Sequence, residues 1–157
     1  MAREAKTNAM RMLDRQKIAY TPIPYDCPVF IDGVTVAEKT GAPLEASFKT
    51  LTAKGPGGYC VLVLPVAEEA DLKKAAAALG QKSIALLPVK ELQSVTGYIR
   101  GGCSPIGMKK AFPVLLDESA LSLDEIYVSG GRPGLSIRMK VTDLIAVTNA
   151  KTAPICF

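Results

Sequence analysis

The sequence predicts an α+β fold in a single domain over residues 1–157, with a mixed or barrel-like sheet. The chain is close to the usual domain size of about 100–150 residues. Its apolar content of 48% suits a hydrophobic core and exceeds that of disordered chains. Strand patterns dominate the second half, and helices do not alternate with them regularly, which argues against a doubly wound parallel sheet.

The first predicted elements are short. Residues 7–17 predict a helix with Thr7 as its N-cap and Leu13 facing inward. Residues 19–25 predict an extended segment whose prolines favour a sheet edge or a loop. Residues 35–40 predict a short helix, because a Gly-Ala-Pro sequence that ends helices follows them.

The middle of the chain predicts a hairpin followed by a helix. Strands are expected over residues 48–53 and 59–65, joined by the Gly-Pro-Gly-Gly turn at 55–58. Residues 68–79 are alanine-rich and predict a helix, with Gly80 in the position that closes it.

The second half of the chain predicts a series of short strands and helices. Apolar runs between turn residues predict strands, and periodic segments next to capping residues predict helices. In chain order these are a strand over 83–87, a helix over 89–95 that ends before Gly97, strands over 114–117, 126–129 and 135–139, and a helix over 142–147 with Thr142 as N-cap.

Residue composition excludes several catalytic arrangements. The chain has no histidine, which removes Ser-His and Cys-His nucleophiles and the imidazole base. The four cysteines form no CxxC pair, so neither a zinc site nor another metal site is expected. Nothing marks a secreted protein, and we therefore expect no disulfide. Catalysis would have to use carboxylate, lysine, backbone, water or the substrate itself.

Charge and hydropathy predict a cytoplasmic protein with no membrane partner. Lys and Arg number 19 against 15 Asp and Glu, a net charge of +4 that suits an anionic ligand without requiring one. The first residues contain no apolar run of the kind found in signal peptides. The longest apolar stretch, residues 60–67, contains Pro65 and is far shorter than the ~20 residues that span a bilayer.

The segment 97–107 is the first candidate functional loop. It contains four glycines and a proline, and such loops can present backbone amides to phosphates, carboxylates or oxyanions. A tight surface connection is the commoner role of such a composition. Cys103 within it could be a reactive thiol, although without histidine its activation would need a helix N-terminus or a lysine. A small residue that fills the loop is the simpler interpretation.

Lys49 and the segment 127–136 are the other candidates. Lys49 lies at the start of a predicted strand between apolar neighbours, where a lysine can bind phosphate or polarise an ester carbonyl. A solvated lysine is the commoner case. The segment 127–136 predicts a glycine-rich hairpin, and Arg132 at its tip could contact a phosphate.

Several motifs occur in a fixed order from about residue 7 to residue 148. They are Phe48-Lys49-Thr50-Leu51, Pro65-Val66, Asp71-Leu72-Lys73-Lys74, Ala77-Ala78-Leu79-Gly80, Thr96-Gly97-Tyr98, the segment Gly101 to Gly107, and Tyr127-Val128-Ser129-Gly130-Gly131. Together they resemble the prolyl-tRNA editing superfamily, and most closely its freestanding Cys-tRNA(Pro) deacylases of the YbaK/EbsC type.

This resemblance implies a compact α+β fold with a mixed, barrel-like sheet flanked by helices. It also implies a pocket for the 3′-terminal adenosine of tRNA and its amino acid. The catalytic residues would be Lys49 and Gly101. The substrate-binding residues would be Tyr25, Gly102, Cys103, Ser104, Pro105, Ser129, Gly130 and Ser136.

The resemblance further implies hydrolysis of mischarged Cys-tRNA(Pro) without a cofactor. In this family the cysteinyl thiol of the substrate attacks the neighbouring carbonyl, and a cation such as Lys49 would favour the reactive thiolate. Two positions depart from the family: Ser136 stands where relatives can carry aspartate, and Cys103 where many carry an aliphatic residue. Aminoacyl-tRNA is the expected partner, with prolyl-tRNA synthetase as a possible second one.

Three alternatives stay open at this point. The substrate could be another ester such as Ala-tRNA(Pro), which the relative rates on cysteinyl and alanyl esters would decide. The protein could be a non-catalytic module that binds tRNA or a synthetase. A thiol-dependent enzyme that uses Cys103 is the weakest alternative, because the chain offers no histidine base.

Overall fold

The computed structural model describes residues 5–157. No helix within these residues is long and apolar enough to cross a membrane. The helices and strands, in chain order, are α1 Asn8–Arg15, β1 Thr21–Pro24, α2 Gly33–Thr40, β2 Phe48–Gly55, β3 Gly58–Pro65, α3 Leu72–Ala78, β4 Ala85–Leu86, α4 Val89–Thr96, β5 Val114–Asp117, β6 Glu125–Arg132, β7 Leu135–Lys140, α5 Val141–Thr148 and β8 Lys151–Ala153.

The strands form two sheets. One has three antiparallel strands in the order β1-β7-β6, and the other has five in the order β4-β2-β3-β5-β8. In the larger sheet β2 pairs antiparallel with β3 and β4, whereas β5 pairs parallel with β3 and β8. The predicted α+β class with a mixed sheet is therefore confirmed. The sheets are not closed into a barrel, and an isolated parallel bridge between Ser47 and Tyr127 links them.

The hydrophobic core lies on both faces of the larger sheet, and β3 contributes to both. Successive strand side chains point to opposite faces. Val61 and Val63 accordingly belong to the cluster that also contains residues of α1, α5 and the smaller sheet, while Leu62 and Leu64 belong to the cluster beneath α3. The site described below lies beside β2, the neighbour of this strand, whose residues 60–64 are all buried.

Local capping chemistry sets several helix ends as the sequence predicts. The Thr7 hydroxyl accepts a hydrogen bond from the Met10 amide at the start of α1. It also donates to the Gly130 carbonyl at 2.5 Å, which ties α1 to β6. Helices α2 and α4 end at Gly41 and Gly97 with φ of 72° and 86°, the left-handed conformation that glycine adopts without strain.

Three details of the predicted elements need correction. Thr142 is not the N-cap of α5, because the helix begins at Val141 and Lys140 precedes it without a side-chain cap. Helix α3 begins only at Leu72, since the Asp71 carboxylate accepts hydrogen bonds from the first-turn amides and fixes the start there. Strand β8 was not predicted. It is three residues long, and its parallel pairing with β5 gives no local sequence signal.

Candidate active site

A cavity of about 600 Å³ opens where the two sheets meet. Its walls come from the segment after β1, from α2, β2 and the start of α4, and from the glycine loop and the β6–β7 pair. Lys49, Gly101, Tyr25, Cys103, Ser129 and Ser136 line it. The tertiary fold thus brings residues from widely separated parts of the chain to one cavity.

The outer edge of β2 explains why the cavity forms here. Strand β4 pairs only with Ala53 and Lys54, so among the described residues no strand pairs with the outer edge of β2 from Lys49 to Leu51. Side chains from both faces of β2 can therefore reach the opening. The bridge between Ser47 and Tyr127 holds the start of this edge against the smaller sheet.

Lys49 is a partly buried cation available to a ligand. Within residues 5–157 its ammonium group forms no hydrogen bond and no ion pair. Its charge does reach the C-terminal segment: burial raises the pKa of Cys156 to about 12, the charge of Asp117 adds to the rise, and Lys49 opposes it. A lysine without a fixed carboxylate partner can interact with a phosphate, a thiolate or an ester oxygen.

Gly101 presents its backbone to the same cavity. Its φ of 86° is a conformation that glycine alone adopts readily. The residue is exposed, and its amide donates no hydrogen bond within the described part of the chain. A Cβ at this position would lie 3.3 Å from Cδ2 of Phe30. An unpaired amide at a cavity wall is a suitable donor to a developing oxyanion.

Four of the predicted contact residues do not line the cavity. Gly102, Ser104 and Pro105 are buried behind its wall, and the Ser104 hydroxyl accepts a hydrogen bond from the Ile106 amide at 3.2 Å. Gly130 is also buried, and its carbonyl accepts the hydrogen bond from Thr7. In this geometry the four residues lie in the loop and the hairpin behind the cavity wall, and their role in substrate binding stays a prediction.

The cavity also has neutral polar groups, beside the charged residues Asp32 and Arg100 that line it. Burial raises the pKa of Cys103 to about 11, so its thiol stays protonated near neutral pH and is a poor nucleophile. Burial likewise raises the pKa of the Tyr25 phenol. Ser129 and Ser136 lie opposite each other on β6 and β7, and the Ser136 hydroxyl donates to the Val128 carbonyl at 3.2 Å. No carboxylate occupies the Ser136 position.

The structure adds cavity residues that sequence patterns did not indicate. The guanidinium of Arg100 lies 3.9 Å from the ring centroid of Phe30, and both residues line the opening. Thr50 and Thr52 also line it, and the hydroxyl of Thr50 is buried without a hydrogen-bond partner among the described residues, whereas that of Thr52 interacts with the Cys103 thiol. Arg100 lies within the predicted glycine loop, but no local signal in the sequence points to its contact with Phe30.

Comparison with known proteins agrees with this architecture. Residues 30–147 match a family described as the aminoacyl-tRNA editing domain. A protein of Enterococcus faecalis named "Putative Cys-tRNA(Pro)/Cys-tRNA(Cys) deacylase EbsC" is 42% identical over 154 residues, which cover 97% of this chain and 94% of that protein.

Two solved structures share the fold. One, described as "a putative trans-editing enzyme for prolyl tRNA synthetase", has a TM-score of 0.83 at 24% identity and covers 98% of this chain and 99% of its own. The other, a hypothetical protein, has a TM-score of 0.86 at 20% identity and covers 96% and 99%. At these identities the structures support the fold alone. On the sequence match and the 42% identity, the chain belongs to the aminoacyl-tRNA editing domain family, as its motifs predicted.

Proposed function

We propose that this protein is an aminoacyl-tRNA deacylase that cleaves the ester of mischarged Cys-tRNA(Pro). The observation that carries the proposal is the cavity of about 600 Å³, which is lined by a lysine and by a glycine amide that have no hydrogen-bond partner among the described residues. Its volume is typical of small-molecule sites, which span about 300–1,000 Å³. A terminal adenosine with its cysteinyl ester is a ligand of this class. The E. faecalis relative, by its name, acts on such a substrate.

The proposed chemistry uses the thiol of the substrate as the nucleophile. The cysteinyl sulfur attacks its own carbonyl carbon, a carbon–sulfur bond forms, and the carbon–oxygen bond to the ribose breaks. The thiol proton ends on the leaving ribose oxygen, and the resulting thiolactone is then hydrolysed by water to free cysteine. Release of tRNA by this first step is lyase-like, and the complete reaction is hydrolysis.

Lys49 and Gly101 would stabilise the two charges that develop. The ammonium of Lys49 favours the thiolate, which is the reactive form of sulfur. The amide of Gly101 donates to the carbonyl oxygen as negative charge builds on it. Tyr25 contributes a neutral phenol as a hydrogen-bond donor, because burial raises its pKa and keeps it protonated. The cavity itself positions the ester, which can supply much of the rate enhancement.

The test is release of cysteine from Cys-tRNA(Pro) by wild type, Lys49→Ala and Lys54→Ala. Lys54 is a matched control, since it is an exposed lysine of the same strand that does not line the cavity. We expect Lys49→Ala to lose about 100-fold or more in rate, as when one transition-state donor is removed, and Lys54→Ala to retain the wild-type rate. Full activity of Lys49→Ala would exclude the role of this lysine.

Assays of the wild-type protein on other substrates distinguish the remaining alternatives. Ser-tRNA(Pro) is nearly isosteric but lacks the thiol, so it should react much more slowly if the sulfur is the nucleophile. Rapid release of alanine from Ala-tRNA(Pro) with none from Cys-tRNA(Pro) would reassign the substrate. Binding of tRNA without any deacylation would contradict an enzymatic function.

We further propose that the protein works in the cytoplasm beside prolyl-tRNA synthetase. A chain of 157 residues offers little surface with which to read the body of a tRNA, so selection of the tRNA would fall to the synthetase. The net charge of +4 supports contact with tRNA phosphates. Activity on tRNA should fall as salt is added, and added synthetase should raise selectivity for tRNA(Pro).

A further inference from the structure

A second, smaller cavity of about 270 Å³ adjoins the first. The two share a wall, and the second is completed by residues that the first does not use. The shared residues are Tyr25, Phe30, Ile31, Arg100 and Gly101. A ligand that fills the main cavity and continues through its mouth would therefore meet this second space next.

The shared wall contains an aromatic ring that is exposed and yet held in place. Phe30 is 51% exposed, although a phenylalanine gains most from full burial. The guanidinium of Arg100 stacks on the ring at 3.9 Å from its centroid, a cation–π contact that orders both side chains. Val29 and Ile99 beside them are 69% and 48% exposed. The result is an exposed apolar surface with one positive charge held against it.

The chemistry of this wall suits single-stranded RNA. Proteins bind unpaired nucleotides by stacking bases on aromatic side chains or on arginine planes while cations meet the phosphates. Among the described residues, Arg100 is the charged residue that lines the second cavity, and no carboxylate lines it. A phosphate in the second cavity would therefore meet the guanidinium of Arg100, whereas the carboxylate of Asp32 lines the main cavity.

We propose that the second cavity binds the nucleotide that precedes the terminal adenosine of the tRNA acceptor end. Its base stacks against the Phe30–Arg100 pair, and the phosphate between the two nucleotides lies near the guanidinium. The inference rests on the proposed function, because it requires the terminal adenosine to occupy the main cavity. It adds a subsite for the strand itself, which the main cavity does not hold.

The experiment compares two substrates that differ only in the nucleotides that precede the terminal adenosine. One is the cysteinyl ester of adenosine, and the other is the cysteinyl ester of the trinucleotide CCA. The measured quantity is the ratio of their kcat/KM values, trinucleotide over adenosine, for wild type, Phe30→Ala, Phe30→Tyr and Phe157→Ala. Phe157 is a matched control, as it is 79% exposed and lines neither cavity.

Stacking of one base on an aromatic ring corresponds to roughly a 5- to 150-fold effect. We expect the wild-type ratio to exceed one and to fall in Phe30→Ala by a factor within this range, while Arg100 keeps its contact with the phosphate. Phe30→Tyr keeps the ring and should keep the ratio, as should Phe157→Ala. In addition, Arg100→Gln should make the hydrolysis of the trinucleotide ester less sensitive to salt.

The outcomes separate this inference from the proposed function. A wild-type enzyme that cleaves both esters with equal efficiency, or a Phe30→Ala variant that keeps the wild-type ratio, would overturn the subsite alone. Unchanged salt sensitivity in Arg100→Gln would overturn the phosphate contact. A wild type that cleaves neither ester would overturn the proposed function, and the subsite with it.

Discussion

Substitution of Gly102 by alanine tests how the glycine loop is held against the β6–β7 turn. A Cβ at this position would lie 2.6 Å from Cα of Arg132, 2.8 Å from its carbonyl carbon and 2.7 Å from Cδ of Pro133. Carbon atoms pack best at about 3.5–4.0 Å, so the loop and the turn must separate by about 1 Å. Backbone atoms cannot yield by rotating a side chain, and Arg132 is also anchored by its hydrogen bond to the Ala5 carbonyl.

Overpacking of this kind costs about 1–3 kcal/mol, and the backbone obstruction places Gly102→Ala at the upper end, about 2–3 kcal/mol. For a chain of this length that corresponds to a fall in Tm of about 4–12 °C. The same displacement moves the amide of Gly101 away from the carbonyl that it would contact. A misplacement of about 1 Å can reduce catalysis about 100-fold.

The assay pairs thermal unfolding with cysteine release, and Gly57→Ala is the matched control. A Cβ at Gly57 would also be crowded, at 2.8 Å from Nε2 of Gln81, but that side chain can rotate away. We expect Gly57→Ala to lose under about 1 kcal/mol, as is usual for surface changes, and to retain activity. A Gly102→Ala protein with the wild-type Tm would refute the close packing, and one that unfolds early but cleaves normally would refute its link to the site.

Two further predictions concern pH. Burial raises the pKa of Cys103 from 9.0 to about 11, so the stability that its neutral thiol contributes is present below pH 9 and is lost as pH rises towards 11. The free energy of unfolding, measured with denaturant between pH 9 and pH 11, should therefore fall more steeply with pH for wild type than for Cys103→Ala. Parallel pH dependences of the two proteins would contradict this prediction. For Asp117, burial favours a higher pKa, but hydrogen bonds from Ser119 and the Ile155 amide outweigh it and leave the pKa below 3.8. The stability that the ionised carboxylate contributes is present above pH 3.8 and is lost below it. Asp117→Asn should therefore be less stable than wild type at pH 7, and the difference in stability should shrink as the pH is lowered below 3.8. A difference that persists at that pH would show that the ionised carboxylate is not its cause.

Local chemistry determined a large part of the fold. The N-cap at Thr7 and the helix ends at Gly41 and Gly97 were predictable from sequence. A capping side chain or a left-handed residue interacts with backbone groups only a few positions away. The β2–β3 hairpin followed from its glycine-rich turn for the same reason. The error at Thr142 arose because α5 begins directly from β7 and the strand, not a capping side chain, sets its start.

The candidate site was only partly predictable. The motifs identified Lys49 and Gly101 as functional candidates, and both line the cavity. They did not distinguish Gly101, which faces the cavity, from Gly102, which packs against the hairpin. Two adjacent glycines have the same local signal, and only the position of the β6–β7 turn separates their roles.

The sequence by itself determined the α+β class, the family and the residue types available for chemistry, since each depends on composition or on motifs read along the chain. The tertiary structure alone decided the open edge of β2, the short strand β8 and the contact between Phe30 and Arg100. These features join residues that are distant in sequence, and no capping, turn or periodicity rule acts across such a distance. The cavity exists because two sheets meet beside an unpaired strand edge, which is a property of their arrangement and not of any one segment.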